Sequence, residues 1–196
     1  KHRIEMKTVW ILLAEGFEEV EALAPLDLLR RGGVQVDTVS ITGKKEVKGA
    51  HNVVLEADYS VGKLKGDDLP DMVVLPGGLP GATNLHNSEE VRTLLHRMRK
   101  DDRHIAAICA SPAFVLAPEG LLAGYKATCY PMPDEKLLTE HGATHVTDGV
   151  VVDRKLVTGR GPAYAIDFGR TLLEQLVGAA QAKDVADGFL LTERKC

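Results

Sequence analysis

The chain has 196 residues, long enough to bury one sizeable core and short for two. With 44% hydrophobic and 27% charged residues it has the balance of a folded globular domain rather than a disordered chain. A net charge of −4 gives no electrostatic reason to expect nucleic acid or an anionic membrane as partner, and no run of about 18 uncharged apolar residues suggests a membrane span.

The N-terminus lacks the basic-then-apolar layout of a signal peptide. Met6 reads as a natural start, so Lys1 to Glu5 are expected to be an expression remnant and 6–196 a single domain. Thr8 to Ala14 is a continuous apolar run, the pattern of a strand buried on both faces. Glu18 to Arg31 then reads as a helix stopped by Gly32-Gly33. Pro25 lies inside it, which predicts a kink or two helical pieces. Val34 to Ile41 alternates as a second strand, and Val53 to Val61 holds one or two short strands.

Asp71 to Leu75 is a third core strand, cut off by Pro76-Gly77-Gly78. Asn87-Ser88-Glu89-Glu90 starts a helix that runs to about Lys100, with a capping side chain and acids in its first turn. His104 to Ile108 is a fourth core strand, with a helix beginning near Ser111-Pro112. Lys126 to Tyr130 reads as a short strand and Asp134 to His141 as a short helix. A hairpin joins Val150–Val152 to Leu156–Thr158, and helices over Ala163–Leu176 and Ala179–Leu190 end the chain. This alternation implies an α/β sandwich with a mostly parallel sheet covered on both faces. Ligands in such folds bind beyond the carboxyl ends of the strands.

The three cysteines, Cys109, Cys129 and Cys196, are odd in number, widely spaced and without a C-x-x-C pair, which argues against a disulfide framework or a zinc knuckle. Without a secretion signal, a reducing cytoplasm is the expected home.

Three strand ends carry the unusual residues. Ile105-Ala-Ala-Ile-Cys109-Ala-Ser-Pro112 has the layout of a nucleophile elbow, in which a sharp turn lifts the side chain above the sheet edge. A helix start behind Cys109 would aim N–H groups at the sulfur, and a thiol pKa of about 8.5 falls to roughly 3.5–7.5 in such places. The competing reading is a buried structural cysteine. Leu75-Pro-Gly77-Gly78-Leu-Pro-Gly-Ala82 can direct backbone N–H groups at a developing oxyanion, or can simply be a tight turn. It matches neither a phosphate-binding P-loop nor a dinucleotide fingerprint. Glu15, Glu18, Glu19 and Glu21 follow the first strand. Most such acids are solvated helix-start charges, and one of them can turn inward beside the sulfur. No histidine neighbours Cys109 in sequence, and no spatial partner can be chosen among the others. Tyr130-Pro131 and Gly159-Arg160-Gly161-Pro162 follow strands and can line the same rim, although loop punctuation accounts for the latter equally well.

Taken together, Glu21, Leu75–Gly78, Ala106–Pro112, Gly159–Pro162 and Asp167-Phe168 resemble the ThiJ/PfpI superfamily in its DJ-one branch, across essentially Met6 to Leu191. The resemblance implies a flavodoxin-like sandwich, a homodimer, and no metal or organic cofactor. It implies Cys109 as nucleophile, Glu21 as the glutamate that bonds its sulfur, and N–H groups of Gly78 and Ala110 around the oxyanion position. Two departures stand out. Peptidase-like members have histidine directly after the cysteine, where this chain has Ala110, which argues against proteolysis and glutaminase activity. Some deglycase-like members carry histidine where this chain has Tyr130.

The reading that follows is a cofactor-independent glyoxalase or protein/nucleotide deglycase acting on methylglyoxal, glyoxal or their adducts. The alternative is a non-enzymatic redox-responsive protein or chaperone with an oxidisable Cys109.

Overall fold

The computed structural model describes residues 5–131 and 135–195. A six-stranded sheet organises it, built from β1 (Thr8–Leu13), β2 (Gln35–Ser40), β5 (Met72–Leu75), β6 (His104–Ile108), β9 (Val150–Asp153) and β10 (Leu156–Gly159). Their spatial order is β2-β1-β5-β6-β10-β9. All pairs are parallel except β9–β10, the expected hairpin at one edge.

Alternate residues of the central strands bury against opposite layers, which is why their sequences are apolar at every position. Trp10, Leu12, Val73, Leu75, Ile105 and Ala107 form one core with α2 (Gly81–Asn87) and α3 (Glu89–Lys100). Val9, Ile11, Leu13, Met72, Val74, Ala106 and Ile108 form the other with α1 (Glu19–Arg31), α5 (Ala165–Val177) and α6 (Ala179–Gly188). Ser88 caps α3 as expected, its Oγ accepting from the Val91 N–H at 3.3 Å.

Several elements differ from the sequence expectation. The chain forms a single α1 through Pro25, not two pieces. Its inward face is clamped against α5, where a Cβ on Gly169 would stand 2.9 Å from the Pro25 Cα. Tertiary packing holds the turn that proline leaves without one hydrogen bond. The helix expected after Cys109 is only a five-residue π-helical turn, Pro112–Leu116, followed by further turns. The strand expected over Lys126–Tyr130 shrinks to β7 (Lys126–Ala127), which pairs with β8 (Thr144–His145). The expected helix near His141 is α4 (Glu135–Glu140), and Asp134 lies outside the described residues. One short strand lies where 53–61 was expected, β4 (Val54–Glu56), and it pairs with β3 (Glu46–Lys48); β3 and the short α2 have too few apolar positions to announce themselves.

Among the described residues no helix is long and apolar enough to cross a membrane. The close α1–α5 contact yields a stability test. Gly169→Val places a branched side chain against the Pro25 backbone and is expected to cost about 1–3 kcal/mol, read as a lower urea midpoint with an unchanged slope.

Candidate active site

Cys109, Gly77-Gly78 and Glu21 follow β6, β5 and β1, three strands that are neighbours in the sheet. Register brings the strand ends level: Leu75 pairs with Ala107, and Gly159 with Ile108. The carboxyl ends therefore converge where strand order reverses, the crevice in which open α/β sheets bind ligands.

The Cys109 backbone sits in the left-handed region at φ 65°. That conformation is unfavourable for a residue with a Cβ and persists only where its surroundings hold it. Here the Cys109 N–H donates to Gly159 O at 2.9 Å, and its carbonyl accepts the Tyr130 N–H at 2.8 Å. Both rim segments read from the sequence thus pin the turn. The side chain is lifted into a small opening and stays 9% exposed.

Gly77 has no room for a side chain: a Cβ there would stand 2.6 Å from the Cys109 Cβ and 2.9 Å from Glu21 Oε1. Gly78 adopts φ 88°, and a Cβ would stand 2.5 Å from the Glu18 nitrogen. The tight turn and the donor loop are therefore one feature, because only glycine lets the backbone pass this close. The N–H groups of Gly78 and Ala110 both face the sulfur.

Glu21 is completely buried in the first turn of α1. Burial, reinforced by the nearby Glu18 charge, pushes its carboxyl up to about 8, against weaker pulls from the Cys109 side chain and the Gly77 N–H. Those two contacts are loose. Neither Glu21 oxygen has a hydrogen-bond partner of good geometry among the described residues. Burial likewise pushes the Cys109 thiol up, as does the Glu21 charge, while the Gly78 and Ala110 N–H groups pull it down. The two groups are one titrating unit. While Glu21 keeps its proton, its charge no longer opposes the thiolate, and its O–H can donate to the sulfur. The donors at the sulfur are individual N–H groups, not the dipole of a long helix, because the segment after the elbow is one turn.

Around the rim, the Tyr130 ring is 46% exposed and lies over Gly161. Arg160 donates from its backbone to Gly149 O at 2.9 Å and reaches Cys129 O at 3.5 Å. Pro162 opens an exposed turn over Pro162–Tyr164. Cys129 is fully buried in the core on the opposite face of the sheet, its thiol on Tyr130 O at 3.3 Å.

Of the acids after β1, Glu18 sits at the N-cap position of α1, and Glu19 departs from the solvated role expected of it. Its carboxylate accepts the His51 N–H at 2.7 Å and the Val53 N–H at 3.3 Å, and it meets His51 Nδ1 at 3.1 Å. Glu18, Glu19 and His51 bring three potential ligand atoms within 4.8 Å of one another. Their carboxylates are already engaged beside the partial positive charge of a helix start, which disfavours a cation. Of the other described histidines, His86 and His96 meet Glu119, His141 meets Leu137 O, His145 lies 3.2 Å from Glu135, and His104 opens β6 at the end away from the elbow. Sequence reasoning missed this carboxylate–histidine cluster, the Gly159 carbonyl, and the hydroxyl of Ser111, which donates to Pro76 O at 2.5 Å.

The raised Glu21 carboxyl has a consequence for stability. Unfolded, it releases its proton near the ordinary carboxylate value of 4.5, whereas folded it holds it to about 8. The native state thus binds the extra proton across that window, and stability falls as pH rises through it. Glu21→Gln is expected to raise stability at neutral pH by on the order of 1–3 kcal/mol, with the gain vanishing below pH 4.5. Denaturant titrations of both proteins across pH measure this; a constant offset at all pH values would contradict a protonated native Glu21.

The model of the DJ-1/PfpI family matches residues 7–175. The chain is 41% identical over 185 residues to protein DJ-1 homolog A of Arabidopsis thaliana, covering 94% of this chain. It spans about half the length (47%) of that plant protein. It is 37% identical to protein dj-1beta of Drosophila melanogaster, covering 94% of this chain and 97% of the fly protein. The crystal structure of Drosophila DJ-1beta superposes with a TM-score of 0.88 at 36% identity, covering 95% of this chain and 98% of that one. Oxidized Toxoplasma gondii DJ-1 superposes at 0.86 with 33% identity, covering 94% and 98%. The fold agrees with this match, and the chain belongs to the DJ-1/PfpI family.

Proposed function

We propose that this protein is a cofactor-independent glyoxalase or deglycase acting on methylglyoxal, glyoxal or their early adducts, with Cys109 as nucleophile and Glu21 as proton carrier. The observation that carries the reading is a buried cysteine–glutamate pair facing two backbone donors, with no histidine on the sulfur among the described residues. Expulsion of an amine from an amide needs a strong acid–base partner of the histidine kind. Addition to an aldehyde needs only a thiolate, a place for the oxyanion and one mobile proton.

For methylglyoxal the steps balance as follows. The Cys109 thiolate adds to the aldehyde carbon, forming the S–C bond, and the oxyanion is met by the Gly78 and Ala110 N–H groups. Glu21 gives its proton to that oxygen, leaving a hemithioacetal and a carboxylate. The carboxylate removes the hydrogen on the former aldehyde carbon and returns it to the adjacent carbon, while the hydroxyl proton passes to the former ketone oxygen, producing a lactoyl thioester. Water attacks the thioester, the S–C bond breaks, and lactate leaves with the thiolate restored, one proton of the water returning to Glu21 and the other released to solvent. Glyoxal gives glycolate by the same path. Cys109→Ser is expected to abolish lactate formation in a coupled assay; retention of full turnover would sink the mechanism.

A second reading has its own support, since a 33% identical neighbour is described as oxidized Toxoplasma gondii DJ-1. In it Cys109 is an oxidant sensor whose sulfinate is held by Glu21. Absence of dicarbonyl turnover, together with a gain of two oxygens on Cys109 under mild peroxide by mass spectrometry, would favour this reading.

We propose also that two copies associate through the start of α1. Val20, Leu23, Val53 and Val54 are each more than a third exposed, and Glu19 ties the 51–53 segment to that helix. A group of exposed apolar side chains of this kind suits a second copy. Leu23→Asp is expected to shift sizing chromatography from dimer to monomer. Elution of the unsubstituted protein as a monomer would refute the association.

A further inference from the structure

Pro76, Gly77 and Gly78 form two successive peptide units beside the reactive pair, and each unit is held from behind. In the second, Gly77 O accepts the Glu18 N–H at 2.9 Å while the Gly78 N–H faces the Cys109 sulfur. In the first, Pro76 O accepts the Ser111 hydroxyl at 2.5 Å while the Gly77 N–H faces Glu21. Neither peptide is cis, so carbonyl and N–H point in opposite directions across each plane. A hold on the carbonyl therefore aims the N–H. The backbone supplies one hold, and a side chain supplies the other.

Ser111 has no competing task. It stands at the position from which serine ordinarily caps a helix, yet its backbone is already helical and its hydroxyl makes no cap bond. The residue is completely buried and reaches across 35 positions of sequence to the glycine loop. Alanine in its place would leave the Pro76 carbonyl without that donor, in a pocket water does not reach. The bond also polarises the peptide, strengthening the N–H on its far side.

We propose that Ser111 is a positioning residue for the Cys109–Glu21 pair, acting through the Pro76–Gly77 peptide to aim the glycine loop's N–H groups. The inference rests on Cys109 and Glu21 being the reactive pair, and it goes beyond that reading by assigning a third side chain that touches neither substrate nor sulfur.

The test is the rate of Cys109 alkylation by iodoacetamide across pH, followed by peptide mass spectrometry. Alkylation requires no dicarbonyl turnover. A wild-type protein inactive on methylglyoxal would therefore sink the substrate reading and leave this test intact. Ser111→Ala is expected to slow alkylation roughly 3- to 10-fold at about pH 6, the effect of about one lost hydrogen bond, and to move the midpoint upward with the high-pH rate retained. Ser40→Ala removes an equally buried hydroxyl away from the site; it should lower the melting temperature without moving that midpoint. Coincident profiles for Ser111→Ala and wild type would overturn the proposal, as would an equal shift in Ser40→Ala. Should Ser111→Ala not fold, the Gly77 amide of the wild-type protein decides by NMR. Slow exchange and a resonance shifted by Glu21→Gln support the assignment, and rapid exchange refutes it.

Discussion

The left-handed backbone of Cys109 is the constraint on which the site depends. A residue with a Cβ pays about 1–2 kcal/mol to sit there, so the turn exists only because neighbours hold both of its peptide groups. Gly159 O takes the N–H and the Tyr130 N–H takes the carbonyl. Each holder stands where it does because of the sheet: β10 is in register with β6, so its last residue ends beside Ile108. The same register brings β5 level and leaves the glycine loop against the sulfur. The strained turn, the glycines and the buried glutamate are thus consequences of strands ending at one height.

Burial at this position works against ionising either group, and the Glu21 charge also opposes ionisation of Cys109. A lone buried thiolate would be costly, as would a lone buried carboxylate. While Glu21 is protonated, ionising Cys109 places a single charge in the site, on a sulfur that faces the N–H groups of Gly78 and Ala110. Glu18 helps keep the proton in place, since its charge lies near enough to oppose ionisation of Glu21. His51 in turn lies 3.4 Å from Glu18 and is itself raised by the Glu19 contact and both charges. A row of charges therefore runs from the exposed start of α1 to the buried pair. This arrangement differs in kind from a cysteine–histidine dyad, in which the base is charged after proton transfer and must be accommodated.

Much of this was legible before the structure. The continuous apolar runs over 8–14, 71–75 and 104–108 announce strands buried on two faces, because only such strands need no polar side. Cys109 after a small-residue strand, and two glycines after another, stand out because few local structures use those residues in that order. Pro25 misled only as to a break in α1, since its local penalty is outweighed by packing of α1 on α5 at Gly169. The helix behind Cys109 misled for the opposite reason, as a good helix start continues for only one π-helical turn.

By itself the sequence determined the layers, the strand ends at which the unusual residues collect, and Cys109 as the candidate nucleophile. Periodicity and turn chemistry are local, and those features are written within a few residues. Only the tertiary structure decided which of four neighbouring acids turns inward, that Glu19 is a loop anchor, and that the Ser111 hydroxyl crosses to Pro76. These choices depend on burial and on carbonyls and N–H groups that distant segments present. Cys109 and Glu21 lie 88 positions apart, and only strands ending at one height make them neighbours.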